Sequence, residues 1–124
     1  MDSIMKKVFI AISILLLSSG SKLAAQTITD SNDAYREFVQ LANKDEDKSQ
    51  MYDALYRCYT ATYAIITHSE KTSAEYSQAM ANMKNIIAFL PNAAAYNSNN
   101  QSTGNAIKFA RAYVDVVGLS DFAD

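Results

Sequence analysis

Glycine and proline are scarce in this chain, which has three glycines and one proline among its 124 residues. A fold built from many short strands needs frequent turns, and such turns depend on glycine and proline. Their scarcity therefore favours an all-α fold. Hydrophobic residues make up 49% of the chain and charged residues 19%, so the composition supports a packed core within a single domain.

Cysteine and histidine occur once each, as Cys58 and His68. One of each is too few for a metal cage, which takes three or four such ligands. The two residues are ten positions apart on one predicted helix, about 15 Å along its axis, so they cannot form a nucleophile–base pair. We therefore predict a protein that is not an enzyme, with no catalytic residues, no metal site and no cofactor.

Haem is the one cofactor kept open, because small exported helical bundles can hold haem between a methionine and a histidine. Met51, Met80 or Met83 could supply the methionine, and His68 the histidine. Methionines on helix stripes usually fill the core instead. A small periplasmic four-helix bundle that binds a ligand such as haem is thus the alternative hypothesis to a cofactor-free module.

The first 25 residues carry the three parts of a secretory signal peptide. Lys6 and Lys7 are followed by an apolar run over residues 8–17, and then by small and polar residues up to Ala25. The apolar run is about half as long as the roughly 20 residues that span a membrane. We expect cleavage after Ala25 and an exported protein.

The mature domain would then comprise residues 26–124, in the periplasm or outside the cell, soluble and without a stable membrane anchor. Translation could start at Met1 or at Met5. Removal of residues 1–25 leaves eight positive and twelve negative side chains, a net charge of −4. This acidity, without any cluster of lysine and arginine, argues against nucleic acid or anionic membranes as partners.

Two helices are predicted in the first half of this domain. Asp30, Ser31 and Asn32 are good N-cap residues, and apolar residues at helical spacing follow them over residues 34–42. The second helix covers residues 48–68, where two neighbouring apolar stripes run the full length. The sequence therefore predicts a helical hairpin here.

Four tyrosines share one stripe of the second predicted helix: Tyr52, Tyr56, Tyr59 and Tyr63. Such rings could stack on carbohydrate or peptide, or they could pack against a neighbouring helix with their hydroxyls at the surface. Packing is the favoured interpretation. Cys58, on the adjacent stripe, is predicted to be a small buried core residue.

A longer third helix is predicted to start after a cap on Thr72 or Ser73. Pro91 lies within it and removes a backbone hydrogen bond, so we expect a kink or a short break near residues 87–90. The apolar stripes stay in phase across this point. That phase favours a third helix kinked at Pro91.

The fourth predicted helix follows a polar turn over residues 97–105, in which Gly104 can take a positive φ angle. Its two neighbouring apolar stripes are Ile107, Ala110, Val114 and Val117, and Ala106, Phe109, Tyr113 and Val116. We expect the first stripe to pack on the third helix. Phe109, Tyr113 and Val116 then form an exposed candidate interface, which predicts self-association of residues 26–124 or cover by further chain.

The segments NAAAYNSNN and GNAIKFARAYVD, in the third and fourth predicted helices, resemble tetratricopeptide repeats. Ala93, Tyr96, Phe109 and Ala112 fall where this family has small, aromatic, aromatic and small residues. Asn105 stands where the family has alanine, and the proline usual after the second helix of a repeat is replaced by Val117 or Gly118.

The resemblance is to the divergent repeats of exported bacterial proteins. It implies about four helices in antiparallel hairpins, stacked as a right-handed repeat, and a scaffold that binds a protein partner of unknown identity. Relatives of this type tend to be longer, so the native chain could extend beyond Asp124, with residues 119–124 beginning a further helix. The number of repeats stays open.

Overall fold

A computed structural model describes residues 19–44 and 47–122 of the chain, with side chains from Ile28 onward. This part of the chain contains five α-helices and no strand, so the predicted all-α class is confirmed. The helices are α1 (Ser19–Ala42), α2 (Lys48–His68), α3 (Ala74–Ile86), α4 (Phe89–Asn99) and α5 (Thr103–Val117), and a short 3-10 turn follows at Ser120–Phe122. Residues 1–18, which include most of the predicted signal peptide, lie outside the described residues.

The first helix begins at Ser19, well before the start predicted near residues 30–32. Ser31, a predicted cap, is fully buried, and its hydroxyl lies 2.6 Å from the Thr62 hydroxyl of α2. Ser31 shares this buried face with Ala34 and Phe38, at the spacing of one side of a helix. The predicted start was wrong because Ser31 was interpreted as a polar cap that precedes the helix, whereas it lies inside the helix on its buried face.

The next two helices begin at polar caps. α2 spans the predicted residues 48–68, and the Asp47 carboxylate accepts a hydrogen bond from the Ser49 amide at 3.0 Å. This bond, together with a second one from the Ser49 hydroxyl, holds the pKa of Asp47 below its usual value. Ser73 caps α3 by accepting from the Tyr76 amide at 3.1 Å, which settles the choice between the two predicted caps.

The predicted third helix is divided into α3 and α4 by a break at Ile87 and Ala88. Pro91 has no backbone N–H, so it cannot donate to the Ile87 carbonyl four residues earlier. The Leu90 amide donates to that carbonyl instead, at 3.2 Å, in a tighter turn. The structure therefore has the short break rather than the favoured kink, and five helices rather than about four.

The turn between α4 and α5 is shorter than predicted, because it is confined to residues 100–102. The positive φ angle falls on Gln101, at 62°. Gly104 lies inside the first turn of α5 and has no positive φ. Gly104 was predicted to lie in the turn and instead lies two residues after it. The first turn of a helix tolerates glycine, so the residue type did not distinguish the two positions.

The helices pack in two groups. α1 and α2 form an antiparallel hairpin across a short connection, and α3 packs against both to complete a three-helix bundle. α4 packs against α5 as a second hairpin, and α5 also contacts α2. One core runs through both groups, and its largest fully buried hydrophobic side chains are Leu55, Met83, Ile86, Leu90 and Val116.

Candidate functional site

Aromatic side chains connect the second hairpin to the three-helix bundle. The Phe109 ring lies edge-on to two α2 rings, with its centroid 5.4 Å from that of Tyr56 and 6.2 Å from that of Tyr52. Tyr52 also contacts Tyr96 at 5.1 Å, and the Lys108 ammonium lies 4.1 Å from the centre of the Tyr56 ring. We call Tyr52, Tyr56, Tyr96 and Phe109 the aromatic interface. Each such pair adds about 0.5–1.5 kcal/mol beyond the area that it buries.

The stripe of α5 that faces this interface is the one expected to be exposed. Phe109 and Val116 are only 3% and 0% exposed, so the expectation that their stripe faces solvent is wrong. Of the three predicted interface residues, Tyr113 alone is exposed. Both stripes of α5 are apolar, so periodicity could not choose between them. The tertiary contact decides, because the Tyr52 and Tyr56 rings give Phe109 an aromatic surface to pack on.

The opposite side of α5 is an open apolar surface. Ile107, Val114 and Val117 are 52%, 63% and 38% exposed, and Ala110 between them is also exposed. We call these four residues the α5 outer face. Six large hydrophobic side chains are exposed in the described chain, and α5 carries four of them, the fourth being Tyr113. Such a grouping makes this side of α5 a candidate contact surface, whereas single exposed apolar residues need no explanation.

The tyrosine stripe of α2 packs against the core, which agrees with the favoured interpretation. The rings of Tyr52 and Tyr59 are buried, and those of Tyr56 and Tyr63 are half-buried. Burial, and then the nearby Asp115 carboxylate, raise the pKa of Tyr59 to about 12, so its hydroxyl is neutral at ordinary pH. A groove of about 230 Å³ lies between α2 and α5. Tyr56 and Tyr59 line it from α2, and Lys108 and Arg111 line it from α5.

A polar network is buried where α1, α2 and α3 meet. Asn82 donates to the Ser31 hydroxyl and to the Asn32 side-chain carbonyl, both at 2.9 Å. The Ser31 hydroxyl lies 2.6 Å from that of Thr62, which donates in turn to the Cys58 carbonyl at 2.5 Å. The buried hydroxyls are thus satisfied, and the network fixes the relative positions of three helices. Sequence reasoning missed it, although Thr62 on an apolar stripe was the available signal.

The residues considered for chemistry do not come together. Cys58 is fully buried, as predicted, and burial raises the pKa of its thiol, which makes it a poor nucleophile. His68 is exposed at the end of α2, with Nδ1 3.0 Å from the Ala64 carbonyl oxygen. The methionines considered as haem ligands contribute to the core, where Met51 and Met83 are buried and Met80 is half-buried.

Charged side chains form pairs at the surface. Arg57 of α2 donates to both carboxylate oxygens of Glu37 on α1, at 3.1 and 2.9 Å, and to Asp53 at 3.2 Å. Arg57 and Glu37 are about half exposed and Asp53 is 72% exposed, so each pair contributes little, about 0–1 kcal/mol. Within the described residues, no three His, Cys, Asp or Glu side chains group in a way that could hold a metal ion. None of the described helices combines the length and apolar character needed to cross a bilayer.

Comparisons with models of protein families, with curated proteins and with solved structures found no match. The chain's own geometry must therefore indicate the functional site. The α5 outer face is the strongest candidate, because it is the largest apolar grouping that the described part of the chain leaves open.

Proposed function

We propose that this protein is an exported, non-enzymatic helical module that mediates protein–protein interaction or assembly through the α5 outer face. The observation that carries the proposal is Val114, which is 63% exposed in an apolar stripe on a helix whose other side is buried. Apolar surface yields about 25 cal/mol per Å² when a partner covers it. The signal-like residues 1–25 support export.

The proposed architecture is a tetratricopeptide-like, right-handed stack of helix pairs. The pairs α1–α2 and α4–α5 support this, and so does the burial of Ala93, Phe109 and Ala112, which carry the family resemblance. The two alanines are 0% and 2% exposed, and such small residues allow helices to approach closely. A repeat of this type works as a scaffold, which agrees with an interaction surface on its last helix.

A photoreactive amino acid at position 114 tests the proposal in cells that produce the full chain. Lys84, an exposed polar residue on α3, gives the matched control position. We expect cross-linked protein adducts from position 114, few from position 84, and loss of the adducts when Val117→Lys is added beside position 114. Equal adducts at both positions, or none at either, would contradict an interface on α5.

A further inference from the structure

We infer that the partner of the α5 outer face carries Asp or Glu side chains beside its apolar residues, and that these carboxylates enter the groove between α2 and α5. The inference rests on the proposed function, because it states the chemistry of the partner that covers that surface. Three properties of the groove support it: its position, its charges and its volume.

The groove adjoins the α5 outer face. Ile107 belongs to both, since it is 52% exposed on the outer face and also lines the groove. Gly104, one helical turn earlier, leaves the groove open, because a Cβ atom added there would meet no neighbouring group within 4 Å. A partner segment that lies on the outer face can therefore place side chains in the groove without moving either helix.

Two cations on the α5 side of the groove are without a carboxylate partner among the described residues. The Lys108 ammonium lies over the Tyr56 ring, and the Arg111 side chain makes no hydrogen bond or ion pair within the described chain. The other two arginines of the protein each pair with a carboxylate. Lys108 and Arg111 are three residues apart, so they are neighbours on the helix surface and repel each other weakly. A carboxylate bound between them relieves that repulsion and gains two attractive contacts.

Asp115 is the one carboxylate among the described residues that line the groove, and it lies at the other end. It is two helical turns from Lys108, about 10 Å along α5, and it lies near Tyr59, whose pKa is raised by burial and by this carboxylate. The cationic end therefore stands out in a chain whose net charge is −2. An acidic segment is attracted at this end and repelled by most of the remaining surface, which favours one orientation along α5.

The volume of the groove suits side chains rather than a separate small molecule. Pockets for drug-sized ligands measure about 300–1,000 Å³, whereas this groove measures about 230 Å³. The rings of Tyr56 and Tyr59 form its wall on α2, and the methylene groups of Asp or Glu can pack on such rings. A nucleic acid would need a longer row of cations than these two. An acidic protein segment is the occupant that fits both the charges and the volume.

Photocross-linking in cells that produce the full chain tests the inference, with the reactive amino acid at position 114. Adding Arg111→Glu should lower the yield of protein adducts about fivefold, because attraction becomes repulsion at the border of the outer face. Arg111→Lys keeps the charge and should retain most of the adducts. Lys84→Glu, on the exposed surface of α3, makes the same change in net charge as Arg111→Glu and should leave the yield unchanged.

A second cross-linking position reads the chemistry of the partner directly. Position 104 has room for the reactive amino acid, and mass spectrometry identifies the partner residue attached there. We expect at least two Asp or Glu residues within about four residues of the attachment point, the separation of neighbours on one helix face. Attached segments without such carboxylates, or no adducts from position 104, would overturn the inference.

These outcomes separate the inference from the proposed function. If position 114 forms adducts whose yield Arg111→Glu leaves unchanged, the outer face is an interface and its partner is not recognised through carboxylates. If position 114 forms no adducts even with Arg111 in place, both the inference and the proposed function are wrong.

Discussion

The three-helix bundle and the second hairpin differ in how much of their apolar surface is buried. In the bundle, α1, α2 and α3 each touch the other two, and even the polar Ser31 and Thr62 are fully buried and hydrogen-bonded. In the second hairpin, α5 is covered on its Phe109 side and leaves Val114 63% exposed on the other. The bundle is therefore covered on its α2 rings by the second hairpin, whereas α5 has a second apolar face that is available to a partner.

The contact between the two groups also differs in kind from the interior of the bundle. Leu55, Met83 and Ile86 are fully buried aliphatic side chains of the bundle. The second hairpin instead meets α2 largely through rings, with Phe109 edge-on to Tyr52 and Tyr56. These ring contacts, together with a shared core that includes Leu90 and Val116, hold the group that presents the outer face.

Removal of the Phe109 ring is the change with the largest expected effect. Phe109→Ala should lower the free energy of unfolding by about 3–5 kcal/mol, because it leaves a cavity in the aromatic interface. Val114→Ala, on the exposed side of the same helix, is the matched control and should change stability by no more than about 0.5 kcal/mol. Urea unfolding measures both, and similar losses in the two variants would mean that α5 is not buried on one side alone.

The buried polar network allows a similar test of the bundle. Thr62→Val should destabilise the protein by about 1–3 kcal/mol, because it leaves the buried Ser31 hydroxyl without an acceptor. The double variant with Ser31→Ala should lose less than the sum of the two single losses, since each change removes the same hydrogen bond. Strict additivity in a double-mutant cycle would refute the direct coupling between α1 and α2.

Alkaline pH should weaken the region where the two groups meet. Tyr59 ionises near pH 10 in the unfolded chain but at about 12 in the fold, so folding favours its protonated form. Its stabilising contribution is therefore fully present below pH 10 and is lost as the pH rises towards 12, by about 1 kcal/mol per pH unit. Tyr59→Phe should flatten this decline in unfolding measurements at several pH values. An unchanged decline would place its cause elsewhere.

The smallest effect concerns thiol access rather than stability. Cys58 is fully buried, so a bulky thiol reagent should label it only when the bundle opens. A cysteine introduced by Val114→Cys, at low protein concentration, should react at once. Rapid labelling of Cys58 in the folded wild-type protein would contradict the closed bundle.

Local signals were sufficient to predict much of the fold. The limits of α2 were correct because its stripes are long and polar residues flank them, and Ser73 was among the predicted caps. The effect of Pro91 was placed correctly, yet the stripes on its two sides stay in phase whether the helix bends or breaks. Sequence periodicity therefore could not distinguish a kink from a break.

The candidate site was harder to predict, because it depends on contacts distant in sequence. α5 carries two apolar stripes of similar strength, and only the position of Tyr52 and Tyr56 determines that the Phe109 stripe is buried. Ser31 was misjudged for the same reason, since its partner Thr62 lies on another helix. Both errors concern which face meets a neighbour, and neither concerns whether a helix forms.

Photocross-linking in cells that produce the full chain tests the central claim most directly. A photoreactive amino acid at position 114, on the α5 outer face, is compared with one at position 39, which replaces an exposed valine of α1 instead. We predict cross-linked protein adducts from position 114 and few from position 39. Equal adducts at both positions, or none from position 114, would contradict the account.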